Sequence, residues 1–339
     1  MRIAVDAMGG DNAPGEIVSG VLEVLELLDK DEEILLVGPQ QTIESLLPSK
    51  IPVGAKLTIV DAPEVIGMDE KPIESLRKKV KSSIAIIAKL AKRNQADAVI
   101  SAGNTGACVA AFQMRMRTLP GVVRPGIAVV FPTFEGPVTI CDVGANIACK
   151  PIHLYQYAVM ASVYSRQVLG IQNPRVGIIS IGSEDAKGNE IVKKARDFIK
   201  SDSKLNFVGN IEGRDIFAGT CDVAICEGFV GNVVLKLTEG AIDGLFKAIK
   251  HELSSEFLLA LQFKKVMKRI YQKYDYNEYG GAPLLGIDGT ALICHGASKS
   301  RTIKNAVLTA RKIHNAKINE KIVEYLSNTS VRTPDEQGS

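Results

Sequence analysis

Residues 1–20 read MRIAVDAMGGDNAPGEIVSG. An apolar run (2–6) ends in Asp6, a turn carries Gly9, Gly10 and Asp11, and past Pro14 apolar residues recur at helical spacing. Strand, glycine turn and helix make the repeating unit of a doubly wound sheet. The rest of the chain repeats it. RIAVD (2–6), EILLV (33–37), LTIV (57–60), DAVIS (97–101), IAVVF (127–131), VTICD (138–142), RVGIISI (175–181) and DVAIC (222–226) are near-continuous apolar runs. Such runs suit parallel strands covered on both faces. Amphipathic stretches at 15–29, 83–94, 106–117, 151–168 and 188–200 lie between most of them. The expected fold is a three-layer α/β/α, doubly wound, mostly parallel sheet in one domain over 1–325, with a disordered polar tail at 326–339.

Composition narrows the function. The 339 residues carry 41 Lys and Arg against 38 Asp and Glu, a net charge of +3, which gives no basic coat for nucleic acid. Asp6 and Asp11 interrupt any apolar signal segment and no apolar run reaches membrane-spanning length, so a cytoplasmic chain is expected. The six cysteines form no CxxC pair and the four histidines no HExxH spacing; buried thiols, no metal site and no cofactor are expected. GxSxG, GxxxxGK[ST] and a GxGxxG at the first strand are missing. Acids flank the adjacent glycines of the opening turn where a pyrophosphate would be repelled, so it is no dinucleotide fingerprint. His295 follows Cys294, yet neighbours in sequence do not generally face one another, and a Cys/His nucleophile is not favoured.

In open α/β sheets, ligands bind beyond the carboxyl ends of strands, at the starts of the following helices. Four turns there pair glycine with asparagine: SAGNTGA, DVGANIACKP, GSEDAKGNE and EGFVGNVVLK. Glycine lets backbone approach an anion, helix-start N–H groups point at it, and asparagine adds a neutral donor. Any one such turn has a plainer explanation, because βα turns need glycine and helix caps favour asparagine. Four on one rim point to a shared anion pocket.

Two basic segments stand out. SLRKKVKSSIA (75–85) precedes a helix starting near Ser82 or Ser83, and is either a solvated run or a phosphate or acidic-partner contact. From His251 to Tyr279 the α/β rhythm stops: Leu259, Phe263, Val266, Met267, Ile270 and Tyr274 follow helical spacing, with Lys264, Lys265, Lys268, Arg269 and Lys273 on other faces. A basic amphipathic helical hairpin is expected over 250–280, serving packing or dimerisation, an anionic lipid surface, or an acidic partner.

MRIAVDAMGGDNAP, ADAVISAGNTGA, CDVGAN..CKP.HL.QYA.M, RVGIISIGSEDAKGNE, EGFVGNVVLK and YGGAPLLGI, in that order, resemble the bacterial phosphate acyltransferases of phospholipid synthesis, the acyl-ACP:phosphate acyltransferase or PlsX family. The resemblance runs from Met1 to about residue 325 and implies a phosphotransacetylase-like fold related to isocitrate and isopropylmalate dehydrogenases, usually homodimeric. It implies conversion of long-chain acyl-ACP and orthophosphate to acyl phosphate and acyl carrier protein. The acyl phosphate would feed a membrane glycerol-3-phosphate acyltransferase, with the enzyme peripherally associated with the inner face of the cell membrane. Rival readings are a phosphotransacetylase acting on acyl-CoA, a metal- and NAD-dependent dehydrogenase with Asp6, Asp11 and Asp142 on a divalent ion, and a non-catalytic carrier-binding scaffold.

Phosphorolysis explains the missing signatures. Phosphate is already an anionic nucleophile and the leaving thiol has a pKa near ~8.5, so neither an activated serine nor a cysteine is required. By strand-end position, the candidate catalytic residues are Asn104, Asn232 and Lys236. Phosphate or substrate contacts are assigned to Asp6, Asp11, Asn12, Gly103, Thr105, Gly106, Asp142, Asn146, Lys150, Lys187, Asn189 and Gly231, with Glu184 closing one side and Asp11 or Asn12 capping the next helix. An apolar acyl groove is expected toward 253–274. Arg77 to Lys81, Arg115, Arg117, Arg124, Lys264, Lys265, Lys268 and Arg269 are candidates for the carrier or membrane surface.

Overall fold

The computed structural model describes residues 1–254, 263–270, 279–329 and 331. In chain order the elements are β1 (Arg2–Asp6), α1 (Gly15–Leu25), β2 (Glu33–Gly38), α2 (Gln40–Glu44), β3 (Lys56–Asp61), α3 (Pro72–Lys78), α4 (Ser83–Lys92), β4 (Ala98–Ser101) and α5 (Thr105–Met116). β5 (Gly126–Thr133), β6 (Gly136–Cys141), α6 (Pro151–Val168), β7 (Arg175–Ile179), α7 (Glu190–Ser201), β8 (Asn206–Ile211), β9 (Val223–Ile225) and α8 (Gly228–Ser254) follow. A helical stretch, α9 (263–270), precedes β10 (Ala282–Leu285), β11 (Thr290–Ile293), α10 (Ser300–Asn315) and α11 (Ile318–Ser327).

One sheet of order β3-β2-β1-β4-β11-β10-β5-β6-β9-β7-β8 runs through the molecule, with an apolar layer on each face. The fully buried ILLV run of β2 and AVIS of β4 are why these segments read as unbroken hydrophobic stretches. α1, α6, α7, α10 and α11 cover one face through residues such as Val21, Tyr157, Ala195, Ile303 and Ile322; α4 and α5 cover the other through Ile84, Ile87 and Phe112.

All eight expected strands form. Three more were not anticipated: β8, whose Gly209 takes φ +100°, β10, which contains Pro283, and the four-residue β11. These add a reversal of polarity. β10 is antiparallel to both β11 and β5, and β5 is antiparallel to β6. β1 to β4 and β11 therefore point one way, and β6 to β9 the other. The pairings Ser101↔Ile293↔Ala282, Leu284↔Ile127 and Ala128↔Cys141↔Ile225 bring both sets of carboxyl ends to nearly the same height. The turns expected on one rim thus belong to two rims that face each other.

α11 runs past the expected boundary at 325, and the Thr329 hydroxyl meets Tyr155 Oη at 2.6 Å; residues 332–339 lie outside the described set. The expected hairpin also lies partly outside it. Within 250–280 the described helical parts are the end of α8 and α9, which together line an apolar groove of about 670 Å³ with Phe246, Ile249, Leu253 and Met267 beside Lys247, Lys250, Lys264 and Lys268. All six cysteines are buried and unpaired. Among the described residues, no helix is long and apolar enough to cross a membrane.

Candidate active site

Three turns of the first half-sheet interlock. Asp6, 1% exposed, accepts the Ser101 hydroxyl at 2.6 Å and the Met8 N–H at 3.0 Å, while Ser101 Oγ accepts the Gly103 N–H at 3.0 Å. Burial pushes the Asp6 carboxyl up, opposed by its donors Ser101, Ser83 and the Met8 and Gly9 amides. Gly9 is obligatory: a Cβ there would sit 2.6 Å from Gly103 N. The Asp11 N–H reaches Gly296 O at 2.8 Å, tying the first turn to the one after β11.

Asn104 caps α5, its Oδ1 accepting the Ala107 N–H at 3.0 Å. Its Nδ2 donates to Met68 O at 2.8 Å and Glu70 O at 3.1 Å. The amide is spent on backbone, so Asn104 shapes the turn, and exposed Thr105 beside it faces the cavity. Glu70 is held down to about 2 by Lys79, helped by the Gly67 N–H and Ser75, which closes the loop Asn104 grips. Asn12 does not cap α1, whose N-cap is Pro14 with no side-chain bond; its Nδ2 donates to Ala297 O and Ser298 O, both at 3.2 Å. Ala13, Pro14 and Gly15 carry no side-chain oxygen to cap that helix start, and the Asn12 amide is drawn instead to the loop after β11.

Across the cleft, Asp142 plays the part of Asp6. It is fully buried, and its carboxylate accepts N–H groups of Ile127, Gly144, Ala145 and Asn146 at 2.9, 3.1, 2.9 and 2.7 Å. Burial pushes its pKa up while these donors oppose. Asn146 Nδ2 donates to Pro125 O at 2.7 Å and Tyr157 Oη at 2.8 Å. On this turn rests the start of α8, backbone to backbone: a Cβ on Gly228 would lie 2.4 Å from Asn146 O, and one on Gly231 only 1.9 Å from Asp142 O. That contact is why the segment reads GFVGN. It brings Asn232 and Lys236, one helical turn apart, to the cleft.

The two rims enclose a cavity of about 130 Å³. Its polar mouth holds Thr105, Asn232, Lys236, Glu239 and His295; Ile127, Val129, Val143, Leu235, Ala282 and Ile293 form an apolar wall behind it. Lys236 Nζ lies 2.9 Å from Glu239 Oε2 and 2.9 Å from His295 Nε2. Cys294 also lines the cavity, but burial pushes its thiol up to about 12, which leaves almost no thiolate to act as a nucleophile.

Of the residues expected here, Thr105, Asn232 and Lys236 meet in the cavity; Asp6, Gly103, Asn104, Gly106, Asp142, Asn146 and Gly231 form the frame behind it. Lys150 is exposed ahead of α6. Lys187 is exposed on the turn after β7 and Asn189 caps α7, Oδ1 accepting the Val192 N–H at 2.9 Å; none of these three lines the cavity. His295 and Glu239 were missed. The signal was present, since ICHGAS is a glycine turn after a strand, but β11 is too short to read as one. Elsewhere, Arg77 and Arg115 flank a dimple of about 150 Å³ lined by Ile73, Leu76, Val80 and Met114, between α3 and α5. Lys264, Lys265, Lys268 and Arg269 are exposed on α9.

The family model for the fatty acid synthesis protein matches residues 1–321. A phosphate acyltransferase of Nitratidesulfovibrio vulgaris (strain DP4) is 45% identical over 328 residues, 96% of this chain and 94% of the relative. One of Heliobacterium modesticaldum is 49% identical over 317 residues, 92% of this chain and 93% of the relative. Among solved structures, a phosphotransacetylase from Streptococcus pyogenes superposes with a TM-score of 0.60 at 16% identity, over 93% of this chain and 94% of that one. The EutD phosphotransacetylase from Staphylococcus aureus gives 0.57 at 15%, with the same coverage. At those identities the structures establish the shared fold alone, while the sequence relatives carry the lineage: the chain belongs to the phosphate acyltransferase family.

Proposed function

We propose that the chain is an acyltransferase that carries a long-chain acyl group from acyl-ACP to orthophosphate, releasing acyl phosphate and the carrier thiol. The observation that carries the reading, beside the family, is a cavity whose mouth offers the Lys236 ammonium, the Asn232 amide and a helix start, and whose one thiol, Cys294, is pushed up by burial and so is a poor nucleophile. Phosphate attacks the thioester carbonyl directly. Lys236 and the start of α5 at Thr105 draw the anion in, and the Asn232 amide donates to the carbonyl oxygen as it gains charge. Losing one such donor typically costs on the order of 10²–10³ in rate, and alignment of the two reactants supplies several kcal/mol more. The apolar wall behind receives the first carbons of the acyl chain.

The acidic carrier lands on the Arg77 and Arg115 dimple, with Lys78 beside it. Arg115 stands ten residues along α5 from Thr105, about 15 Å by helical rise, a span for a flexible prosthetic arm to bridge. Lys264, Lys265, Lys268 and Arg269, around the apolar groove of α8 and α9, face anionic lipid and deliver acyl phosphate to a membrane glycerol-3-phosphate acyltransferase from the cytoplasmic side. A second copy covers exposed Val233 and Leu237 of α8, 48% and 70% accessible, as a homodimer. Thiol release from palmitoyl-ACP, with and without orthophosphate, tests the reaction: the rate must rise with phosphate. Faster phosphorolysis of acetyl-CoA with none of palmitoyl-ACP supports the CoA-dependent alternative instead.

A further inference from the structure

Behind the polar mouth, the sheet forms the floor of the cavity, and its register leaves a gap. Ala282 of β10 pairs with Ile293 of β11. Continuing the Leu284↔Ile127 register by two residues sets Ala282 beside Val129 of β5, which in turn pairs with Ile140 of β6. Residues two apart on a strand share a face, so Ile293, Ala282, Val129 and Ile140 form one row across the sheet. In that row a single methyl stands among branched side chains. With neighbouring strands about 4.8 Å apart, the notch over Ala282 spans about 10 Å between Ile293 and Val129. Resting on the phosphate acyltransferase reading, we propose that Ala282 determines the specificity for acyl length, its notch receiving the carbons next to the thioester carbonyl.

The geometry directs the chain there. Ile293, Ala282 and Val129 all line the cavity, so the notch opens into it. On the helix side, α8 contributes Asn232 and, three residues on and about 4.5 Å farther along the axis, Leu235. A carbonyl oxygen held by the Asn232 amide therefore leads its chain into the space between Leu235 and the notch. The charged side chains Lys236, Glu239 and His295 stay at the mouth, where phosphate and the leaving thiol need them.

The floor cannot yield to a larger side chain at this position. Just ahead of Ala282, a Cβ on Gly280 would collide with the backbone of Asn305 and Ala306 in α10, and one on Gly281 would sit 2.9 Å from Cys294 Sγ. The start of β10 is thus clamped to α10 and to the residue after β11, so added carbons at 282 fill the notch instead of pushing the strand aside. Volume sets how many acyl carbons compete for it. An apolar cavity of about 150 Å³ holds a benzene-sized molecule, so the 130 Å³ here takes about five carbons. Each methylene moved out of water is worth about fourfold in binding. A leucine at 282 adds three carbons to the floor and displaces three acyl carbons, about 60-fold in all.

The test uses the full chain, orthophosphate and the acetyl and decanoyl thioesters of N-acetylcysteamine, which share a leaving thiol and carry no carrier protein. Wild type is expected to favour decanoyl in kcat/KM. For A282L, kcat/KM on the decanoyl thioester should fall about 60-fold while the acetyl thioester, one carbon beyond its carbonyl, stays within about threefold. A282V adds two carbons in a β-branched shape that suits a strand, should cost decanoyl about 15-fold, and decides the matter if A282L melts early. An equal loss on both thioesters, no loss on decanoyl in a folded variant, or a wild type without length preference overturns the proposal. A wild-type rate indifferent to phosphate would instead sink the acyltransferase reading on which it rests.

Discussion

Replacing Gly231 with alanine probes how the cavity is assembled. The new Cβ would sit 1.9 Å from Asp142 O and 2.9 Å from Val143 Cα, both backbone atoms of a turn pinned by four N–H groups on the Asp142 carboxylate. Neither can swing aside as a flexible side chain would. Restoring an ordinary contact of about 3.4 Å requires α8 to retreat by roughly 1.5 Å, carrying Asn232 and Lys236 with it. A displacement of that size costs about 10² in rate, and overpacking costs about 1–3 kcal/mol in stability. Gly240 lies farther along the same helix, and a Cβ there meets nothing within 4 Å. Gly240→Ala should therefore stabilise by about 0.5–1 kcal/mol through helix propensity and leave kcat alone. Phosphate-dependent thiol release and a urea melt on both variants provide the assay. If G231A keeps wild-type kcat and stability, the backbone-on-backbone docking of α8 is not what positions the site.

Further expectations concern other parts of the frame. Asn104→Ala removes the α5 cap and strands the Met68 and Glu70 carbonyls, a loss of about 1–3 kcal/mol in urea unfolding, and raises KM for phosphate as the turn loosens. His153 is held down to about 4 by burial, with Arg124 and Lys150 adding to the effect. Its contribution is therefore intact above pH 6.5 and is lost as pH falls toward 4, by up to about 3 kcal/mol. Replacing it with glutamine should flatten that acid limb in urea midpoints measured between pH 7 and 4.5. Reversing both Arg77 and Arg115 to glutamate should raise KM for palmitoyl-ACP at least about tenfold in low salt and spare palmitoyl-CoA; equal effects on both would remove the carrier from the α3 and α5 dimple.

The parallel core was legible because β1, β2, β4 and β6 are buried on both faces and so read as unbroken apolar runs. β10 and β11 were not, since four residues containing a proline, or four preceded by Asp288-Gly289, carry too short a pattern. Losing them hid the reversal of polarity, and with it the turn that bears His295. Asn232 and Lys236 could be placed at the cleft from the sequence because glycine spacing marks a helix start pressed against backbone. Asn104 and Asp142 show the limit of residue type as a guide. An amide or carboxylate at a strand end looks the same whether it binds phosphate or backbone, and only the partners, Met68 and Glu70 for one and four amides for the other, reveal the framing role.

The central claim is that phosphate, not water or a side chain, attacks the thioester. Following palmitoyl-ACP turnover with ¹⁸O-labelled orthophosphate by ³¹P NMR tests it directly. The account predicts acyl phosphate formed in step with free thiol, carrying the label in the oxygen that bridges phosphorus and the carbonyl carbon. Thiol release accompanied by unlabelled palmitic acid as the first product would contradict it.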